Sequence, residues 1–441
     1  MNILTLNTEA YGGGASQIAL SLMDFYRTAG HDSWMLNAVH NDTKGQTRVL
    51  QNDDARNPLF RLTKRLMEVS LQKRIPFIPK LLRLTLSASE PNRTVKLRAG
   101  REDFYQPATR GIPEQLNPRP QVIHAHNLFG NYFDLRELPR ISRQLPFVLT
   151  LHDMWTFTGH CSHPLDCERW LQACGQCPYL ELPPAVPRDS TAANLALKNK
   201  IYKSSMVHVV TPSRWLMEQM EKSILRQGSA STKVIPNGVD QNIFKPGDQA
   251  TARKYLGLPK DAKVLLFVAA GSRSNPWKDY ETLDNAVKIL ASKKQDTKLI
   301  LLAPGSKNAG NHYHGVEVHP MPWISNRSDL AHYYHAADLY LHAAHAENFP
   351  NVILEALSCG LPVIGTRTGG IPEQIDEDRT GHIVPKGDAQ AMAEKAHLLL
   401  TSPEKRQNFS DEAARTAKGA YCFKRMGRDY LAWFDELLEA A

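Results

Sequence analysis

Short apolar runs separated by amphipathic stretches are the dominant pattern along this chain. Runs suited to buried strands occupy residues 2–7, 122–123, 147–151, 206–210, 264–268, 299–302, 339–341 and 362–365. Helical spacing of apolar residues marks 16–28, 280–293, 352–359 and 423–438. Because strands that alternate with helices form parallel sheets covered on both faces, the pattern predicts two successive α/β units.

The chain of 441 residues is longer than a single hydrophobic core usually supports, which also favours two domains. Pro236-Asn237-Gly238-Val239-Asp240 has turn chemistry and suits a hinge between them. We therefore predict an N-terminal Rossmann-like domain at 1–235 and a C-terminal domain at 236–420. The amphipathic stretch 421–441 is predicted to be a helix that packs back on the N-terminal domain.

Composition excludes a disordered or fibrous chain, since 42% of residues are hydrophobic and 22% are charged. The first residues lack the features of an export signal, and no window is apolar enough to span a membrane. The sequence therefore predicts a cytoplasmic protein. Its net charge of +8 indicates an anionic partner: nucleic acid, an acidic membrane surface or a phosphate-bearing substrate.

Much of the positive charge lies in an insert at about 56–101, where twelve Lys or Arg face only Glu68 and Glu90. Leucines and other apolar residues are interspersed among these cations. This mixture suits the surface of an anionic membrane, and it equally suits a helical excursion with a solvated charged face. Nucleic acid is not expected, because no recognition motif accompanies the charge.

The segment 347–357 carries the most informative candidate chemistry. Pro350 is placed to start a helix, whose first N–H groups could hold an anion such as a diphosphate. Glu347 lies in the preceding loop and Glu355 about two turns further on, so the two carboxylates could reach opposite ends of one ligand. From spacing alone, a surface helix residue and an ordinary loop acid explain the pair as well.

The surrounding motifs resemble those of glycosyltransferase family 4, the group 1 enzymes, over nearly the whole chain apart from roughly 40–115. Five marks occur in the family's order: the glycine loop 12–15, the segment 236–240, the set Gly271, Arg273 and Lys278, the pair Glu347-x7-Glu355, and the glycine-rich runs 360–363 and 369–373. The resemblance implies the GT-B fold, in which two Rossmann-like domains face each other across a cleft.

The resemblance also implies roles for single residues. Arg273 and Lys278 would neutralise the donor diphosphate and stabilise the departing nucleotide. Glu355 would accept the ribose hydroxyls, and Glu347 would hold hydroxyls of the transferred sugar. Further donor contacts are implied for the residues Gly13, Gly14, Asn348, Phe349 and Pro350.

His124-Ala125-His126 follows a predicted strand at the edge where open α/β sheets bind ligands. The family commonly places a functional histidine here, and His126 is the better match. His152, after the next strand, is the second candidate, and a structural role remains an alternative for either one. The resemblance implies retention of anomeric configuration without a covalent nucleophile and without a catalytic metal. The metal-like string 376–378, Asp-Glu-Asp, is interpreted as a coincidence.

Four cysteines, Cys161, Cys167, Cys174 and Cys177, cluster within seventeen residues. Cys174-Gly175-Gln176-Cys177 resembles a zinc knuckle, and four thiolates could form a closed structural zinc site. The first pair is spaced more widely than usual, and His160 or His163 could replace a distant thiol. Free buried thiols and redox chemistry are the alternatives to zinc.

The sequence thus predicts a retaining glycosyltransferase that moves a sugar from a nucleotide-diphosphate-sugar donor to a glycan or lipid-linked acceptor in surface polysaccharide biosynthesis. It would need no cofactor for catalysis and would be cytoplasmic, with peripheral binding to the inner face of the membrane as an added expectation. The alternatives are a phosphorylase or nucleotide-sugar epimerase on a similar fold and a non-enzymatic, zinc-stabilised module that binds glycans or membranes.

Overall fold

The structure is a computed structural model that describes residues 1–39, 45–73, 78–268, 275–293, 298–304, 316–321, 324 and 326–440. Contacts divide the chain into two compact units. Unit 1 comprises Met1–Thr211, Met217–Lys233 and Leu431–Ala441, and unit 2 comprises Pro212–Leu216 and Val234–Tyr430. Each is described by itself, and the predicted domain boundaries stay a prediction.

Unit 1 contains a seven-stranded sheet of order β3-β2-β1-β4-β5-β6-β7. Its strands are β1 (Asn2–Leu6), β2 (Asp32–Asn37), β3 (Thr47–Val49), β4 (Val122–Ala125), β5 (Phe147–Thr150), β6 (Val207–Thr211) and β7 (Ser229–Val234). Its helices are α1 (Gly14–Thr28), α2 (Pro58–Gln72), α3 (Ile78–Ser89), α4 (Pro91–Arg98), α5 (Leu138–Ile141), α6 (Thr191–Tyr202) and α7 (Arg214–Glu221), the last of which begins among the residues of unit 2.

The centre of this sheet is apolar and buried, as the sequence pattern predicts. β1 pairs in parallel with both β2 and β4, and Leu4 is opposite Trp34 on one side and Ile123 on the other. β4 pairs in parallel with β5, and β5 with β6. The carboxyl ends of β4 and β5 therefore meet at one edge, where the chain continues into His126 and His152.

Unit 2 contains a six-stranded sheet of order β10-β9-β8-β11-β12-β13, whose strand pairs are parallel. Its strands are β8 (Lys263–Leu266), β9 (Leu299–Pro304), β10 (Val316–Met321), β11 (Leu339–His342), β12 (Val363–Thr366) and β13 (Gly381–Val384). Its helices are α8 (Gln249–Tyr255), α9 (Tyr280–Ser292), α10 (Arg327–Ala336), α11 (Asn351–Ser358), α12 (Ile371–Gln374), α13 (Ala389–Thr401), α14 (Pro403–Ala420) and α15 (Phe423–Glu439), the last of which ends among the residues of unit 1.

The basic insert forms the three helices α2, α3 and α4, with α2 packed against α3. Two of its cations serve the interior of unit 1. Buried Arg56 donates through Nη1 to Glu90 at 2.8 Å, and Arg93 binds both Glu90 and Asp103. Because a buried charge is tolerated only when it is paired, these residues anchor the insert and are not part of an external basic patch.

The carboxyl-terminal part of α15 completes the core of unit 1. Phe434 is fully buried and packs edge-on against Tyr26 at 5.6 Å and His124 at 5.4 Å between ring centroids. Trp433 lies edge-on to His208. None of the helices in the described ranges has both the length and the apolar character required to cross a membrane.

We expect Phe434→Ala to lower the free energy of unfolding by about 3–5 kcal/mol, since it removes a buried ring from a closed cluster. Urea unfolding followed by circular dichroism measures this change. Glu439→Ala, on the exposed end of the same helix, is the control and should stay within about 0.5 kcal/mol of wild type. Equal stability of both variants would show that the carboxyl-terminal segment does not contribute to the core.

Candidate functional site

The segment that begins α9 is joined by backbone pairing to the loop that follows β11. Lys278 forms an antiparallel bridge with Ala344, and the N–H of His345 donates to the carbonyl of Trp277 at 2.9 Å. The N–H of Asp279 donates to the carbonyl of Ala343 at 3.1 Å. This pairing brings Lys278 to the loop that carries Glu347.

A compact charged cluster results from this pairing. Lys278 Nζ donates to Glu347 Oε1 in a short contact and lies 3.4 Å from His342 Nε2, and His342 Nε2 is also 3.4 Å from Glu347. Burial opposes ionisation of Glu347, but the charge of Lys278 and the contact with His342 hold its pKa well below the usual range. Burial and the Lys278 charge lower the pKa of His342 to about 4, so its imidazole is neutral at pH 7.

Two glycines allow this loop to close. Gly369 has φ +54°, and a Cβ built on it would lie 1.7 Å from the carbonyl oxygen of Glu347. The N–H of Gly370 donates to the carbonyl of Asn348 at 2.9 Å, and the side chain of Asn348 accepts from Ser213 Oγ at 2.6 Å. Glycine is required at 369 because of both its backbone conformation and this close approach.

Helix α11 begins directly after this loop. Pro350 is its N-cap residue, with the carbonyl accepting from Gln374 Nε2 at 3.1 Å, and Phe349 is buried before it. Glu355 lies on the buried side of the helix, where Arg327 Nη2 donates to it at 3.1 Å and Tyr334 Oη donates at 2.8 Å.

Burial raises the pKa of Glu355, although the Arg327 charge and the Tyr334 hydroxyl act in the opposite direction. The two donors that hold Glu355 leave lone pairs on its oxygens, because a carboxylate accepts about four hydrogen bonds. Glu355 could therefore accept further donors such as hydroxyls.

Of the remaining predicted donor residues, Gly271 and Arg273 lie outside the described residues. Gly13 is the N-cap of α1 and Gly14 its first residue, and both are exposed. No atom lies within 4 Å of a Cβ built on Gly13, so open space adjoins this turn. The structure thus brings Lys278, Glu347 and Asn348 together in unit 2 and places Gly13 and Gly14 in unit 1.

Three histidines meet at the carboxyl ends of β4 and β5 in unit 1. His124 is fully buried, with Tyr26 Oη 3.0 Å from Nδ1 and Thr150 Oγ1 2.9 Å from Nε2. His126 Nδ1 lies 2.9 Å from His152 Nε2, and its Nε2 has no hydrogen-bond partner among the described residues. Of His124, within β4, and His126, directly after it, His126 is thus the one with a ring nitrogen left to act on a ligand.

Burial keeps all three imidazoles neutral at pH 7. It lowers the pKa of His124 to about 3 and of His152 to about 4, and with the charges of His124 and His152 it lowers the pKa of His126 well below its ordinary value. Neutral imidazoles can accept or relay a proton, whereas they cannot neutralise a diphosphate.

Sequence reasoning missed His342, Arg327, Tyr334 and Asp153. His342 ends β11 in the same way that His126 follows β4, and this signal could have identified it. Asp153 lies directly after His152, and burial raises the pKa of its carboxyl group to about 6. Hydrogen bonds from the Trp155 N–H and from Ser162 act in the opposite direction. A carboxyl group that titrates near neutrality suits proton transfer.

The four clustered cysteines lie in the long loop between β5 and α6. Together with His160 they line one cavity of about 20 Å³. His160 Nε2 lies 3.5 Å from Cys177 Sγ. Burial raises the pKa of Cys161 to about 12 and of Cys174 to about 11.

The cysteine sulfurs lie further apart than a coordinated set. Within the described ranges, the one group of three His, Cys, Asp or Glu residues whose ligand atoms all lie within 4.8 Å of one another is Glu377, Asp378 and His382. Both acids are exposed, and Glu377 is engaged with His382 Nδ1 at 3.0 Å and the N–H of Ile383 at 2.7 Å. These contacts indicate that the three side chains hold the loop at 377–383 closed.

Comparison with protein families identifies the chain. The model for "Glycosyltransferase Family 4" matches residues 12–242, more than half of the chain, and the model for "Glycosyl transferases group 1" matches residues 248–416. The chain belongs to glycosyltransferase family 4. The predicted family, with its group 1 domain, is confirmed.

Two curated relatives show the range of similarity. D-inositol 3-phosphate glycosyltransferase of Kribbella flavida is 30% identical over 208 residues, which cover 43% of this chain and 47% of the relative. The chain thus spans about half the length of these relatives. WcaC of Escherichia coli K12, provisionally named a colanic acid biosynthesis glycosyl transferase, is 24% identical over 72% of this chain and 77% of its own length.

Solved structures confirm the predicted GT-B fold class. Anabaena HepE, solved in complex with UDP, superimposes with a TM-score of 0.64 at 17% identity and covers 99% of this chain and 100% of its own. Sucrose-phosphate synthase from Thermosynechococcus elongatus superimposes with a TM-score of 0.63 at 17% identity, and the match covers both chains fully.

We expect Gly369→Ala to abolish most glycosyltransferase activity, because the new methyl group would collide with the Glu347 carbonyl and displace the loop that holds Lys278. The matched control is Gly387→Ala, which shares a positive φ of +81° but has no atom within 4 Å of its Cβ. Thermal unfolding should show a similar conformational cost of about 1 kcal/mol in both variants, with a further loss at 369 alone. Equal activity in the two variants would contradict a role for this close approach.

Proposed function

We propose that this family 4 enzyme is a retaining glycosyltransferase that transfers a sugar from a nucleotide-diphosphate-sugar to a glycan or lipid-linked acceptor at an anionic membrane surface. The observation that carries the proposal is the cluster of Lys278, Glu347 and His342 beside the start of α11.

The cluster suits a diphosphate sugar in several respects. Lys278 is the one cation of the cluster, and the N-terminus of α11, four residues after Glu347, is proposed to supply a second positive potential. Arg273 is proposed as a second cation from the resemblance. Fixed positive charge stabilises the leaving diphosphate, whose charge grows in the transition state. Glu347 supplies a carboxylate for sugar hydroxyls, and Glu355 supplies one for the ribose. Asn348, Phe349 and Pro350 are proposed as donor contacts through the loop backbone, and Gly13 and Gly14 through the glycine turn.

Retention is proposed from the family resemblance, and the cluster supplies no free nucleophile for a covalent intermediate. Glu347 is held by Lys278 and His342, and Glu355 by Arg327 and Tyr334. Attack on the same face, assisted by the leaving phosphate, needs no covalent intermediate and no metal. His126 is proposed to hydrogen-bond the transferred sugar or the acceptor hydroxyl, because its buried Nε2 has no partner in the described structure.

The relatives support the choice of substrates. HepE is solved with UDP-glucose as well as UDP, which supports a nucleotide-diphosphate-sugar donor, and WcaC supports surface polysaccharide biosynthesis. Unit 1 contains a cavity of about 400 Å³ whose lining combines the cations Lys96 and Arg101 and the rings of Phe104 and Tyr105 with the acids Glu90, Glu102 and Asp103. Such a lining suits an acceptor in which sugars adjoin a phosphate.

We expect Lys278→Ala to weaken binding of the preferred nucleotide diphosphate by at least about tenfold, or about 1.4 kcal/mol, because it removes the cation beside the diphosphate. Calorimetry with UDP, GDP and ADP measures this loss. Lys418→Ala, an exposed lysine on α14, is the matched control and should bind as wild type.

The melting temperature of each unliganded variant separates loss of the site from loss of the fold. Nuclear magnetic resonance of the product's anomeric centre tests retention. Wild-type protein that is folded yet binds none of the three nucleotides would overturn the proposed donor.

The membrane part of the proposal rests on the outer face of the insert. Nine of the sixteen exposed large hydrophobic side chains in the described ranges belong to α2, α3 and α4. On α2, Leu59, Leu62, Leu66 and Val69 recur at spacings of three and four residues, next to a buried side that includes Phe60. These four side chains form an apolar stripe along one side of the helix.

Exposed cations accompany this stripe, namely Arg61, Arg65, Lys73, Lys80 and Arg83. An apolar stripe with flanking cations is the pattern of helices that lie in the interface of an anionic bilayer. Binding there would bring the enzyme to a lipid-linked acceptor. The charge favours a phospholipid surface as the occupant over a second copy of this basic chain, because two like-charged surfaces repel.

We expect the full-length protein to sediment with vesicles that contain phosphatidylglycerol and not with phosphatidylcholine vesicles. Leu62→Asp with Leu66→Asp should abolish this binding, and Arg61→Gln with Arg65→Gln should weaken it by about 30-fold at about 1 kcal/mol per cation. Tyr255→Asp with Leu398→Asp, exposed hydrophobics of unit 2, is the matched control.

Light scattering of the same variants tests whether the stripe is instead a contact between two copies of the chain. If the leucine variant converted a wild-type dimer to a monomer and left vesicle binding unchanged, the stripe would be a contact between copies and the membrane proposal would fail.

A further inference from the structure

The cysteine loop contains a cavity whose size fits a single ion. Cys161, Cys167, Cys174, Cys177 and His160 line its volume of about 20 Å³. A water molecule needs about 10–15 Å³ on this measure, so the cavity can hold one water-sized ion and no organic ligand.

The turn between Cys174 and Cys177 has an unusual backbone. Cys174, Gly175 and Gln176 have φ values of 52°, 86° and 47°, which places three successive residues in the left-handed region. Two of them carry side chains, and such residues cost of order 1 kcal/mol each unless their surroundings fix them. Cys174 and Cys177, at the two ends of this turn, both line the cavity.

Hydrogen bonds fix this turn from outside. The N–H of Gly175 donates to Thr191 Oγ1 at 2.9 Å, and the N–H of Cys177 donates to Asp189 Oδ2 at 2.8 Å.

His160 provides an independent indication of a metal. Its Nδ1 lies 2.9 Å from the carbonyl oxygen of Pro184, and because a carbonyl can only accept, Nδ1 must carry the proton. The lone pair of Nε2 therefore faces Cys177 Sγ at 3.5 Å. Zinc–sulfur and zinc–nitrogen bonds of roughly 2.3 and 2.0 Å place neighbouring ligands of a tetrahedron roughly 3.5 Å apart.

We propose that this loop binds one zinc-class divalent ion through four of the five potential ligands among the residues that line the cavity: the thiolates of Cys161, Cys167, Cys174 and Cys177 and the Nε2 of His160. The contact between His160 and Cys177 favours a set that contains both. Binding draws the sulfurs inward to coordination distances and releases the thiol protons.

The ion has a structural role in this proposal. The inner part of the loop is already held by Lys198, whose buried Nζ donates to the carbonyls of Trp155 at 2.8 Å and Thr158 at 3.1 Å. The N–H of Met154 donates to the carbonyl of Ser162 at 2.8 Å, which links the cysteine segment to the residues just after His152. The ion would fix the outer part of a loop that begins at the end of β5.

The test is the metal content of the full-length protein, purified without an affinity tag that binds metal and without added metal or chelator. Inductively coupled plasma mass spectrometry should find about one zinc per chain. Cys174→Ser with Cys177→Ser should lose it, whereas Cys359→Ser with Cys422→Ser, the two cysteines outside the loop, should retain it.

Cobalt substitution of the wild-type protein then gives the ligand set. Charge-transfer absorption from thiolate to cobalt reports how many thiolates bind the ion. If this absorption changes in His160→Gln, the ligands are three thiolates and one histidine, and if it does not change, they are four thiolates. Both results support the site. The proposal would be overturned if the wild-type protein contained less than about one-tenth of an ion per chain and took up neither zinc nor cobalt. Disulfides between these cysteines in a non-reducing peptide map would also overturn it. This result is independent of nucleotide binding, so it leaves the proposed glycosyl transfer untouched.

Discussion

Burial of polar groups at the carboxyl ends of parallel strands is the constraint on which the candidate site depends. A charge that leaves water costs several kcal/mol unless it is paired. The side chains of Lys278 and Glu347 are only 10% and 17% exposed, so each needs the other. That pairing exists because backbone bridges join their two loops and because Gly369 lets the second loop close. The backbone structure of the two loops therefore fixes the position of the Lys278 ammonium group.

The same strand-end position is chemically different in the two units. In unit 2 it holds an ion pair with a neutral histidine, and in unit 1 it holds neutral histidines together with Asp153, whose pKa is near neutrality. The first arrangement suits binding of an anionic leaving group, and the second suits hydrogen bonding and proton transfer. The same α/β architecture thus carries side chains suited to anion binding in unit 2 and to proton transfer in unit 1.

The sequence predicts the interior of both sheets well and their margins poorly. All eight apolar runs correspond to strands, whereas β2, β3, β7, β10 and β13 are not anticipated. Four of these five are edge strands, which are covered less completely and need fewer apolar residues.

The same limit applies to the site. His342 could be found from its place at a strand end, but the partners of Glu355 could not, because Arg327 and Tyr334 are brought to it by the packing of α10. The internal use of Arg56 and Arg93 was equally invisible, since a count of cations does not show which of them are paired.

The position of Phe434 bears on how the protein is synthesised. Unit 1 begins with the first residue of the chain, yet its core is closed by side chains from the final helix. A ribosome therefore releases the whole of unit 2 before Tyr26 and His124 can be covered. Until then the nascent first unit exposes the apolar surface that Phe434 covers in the folded protein, so its core closes only after unit 2 has been synthesised.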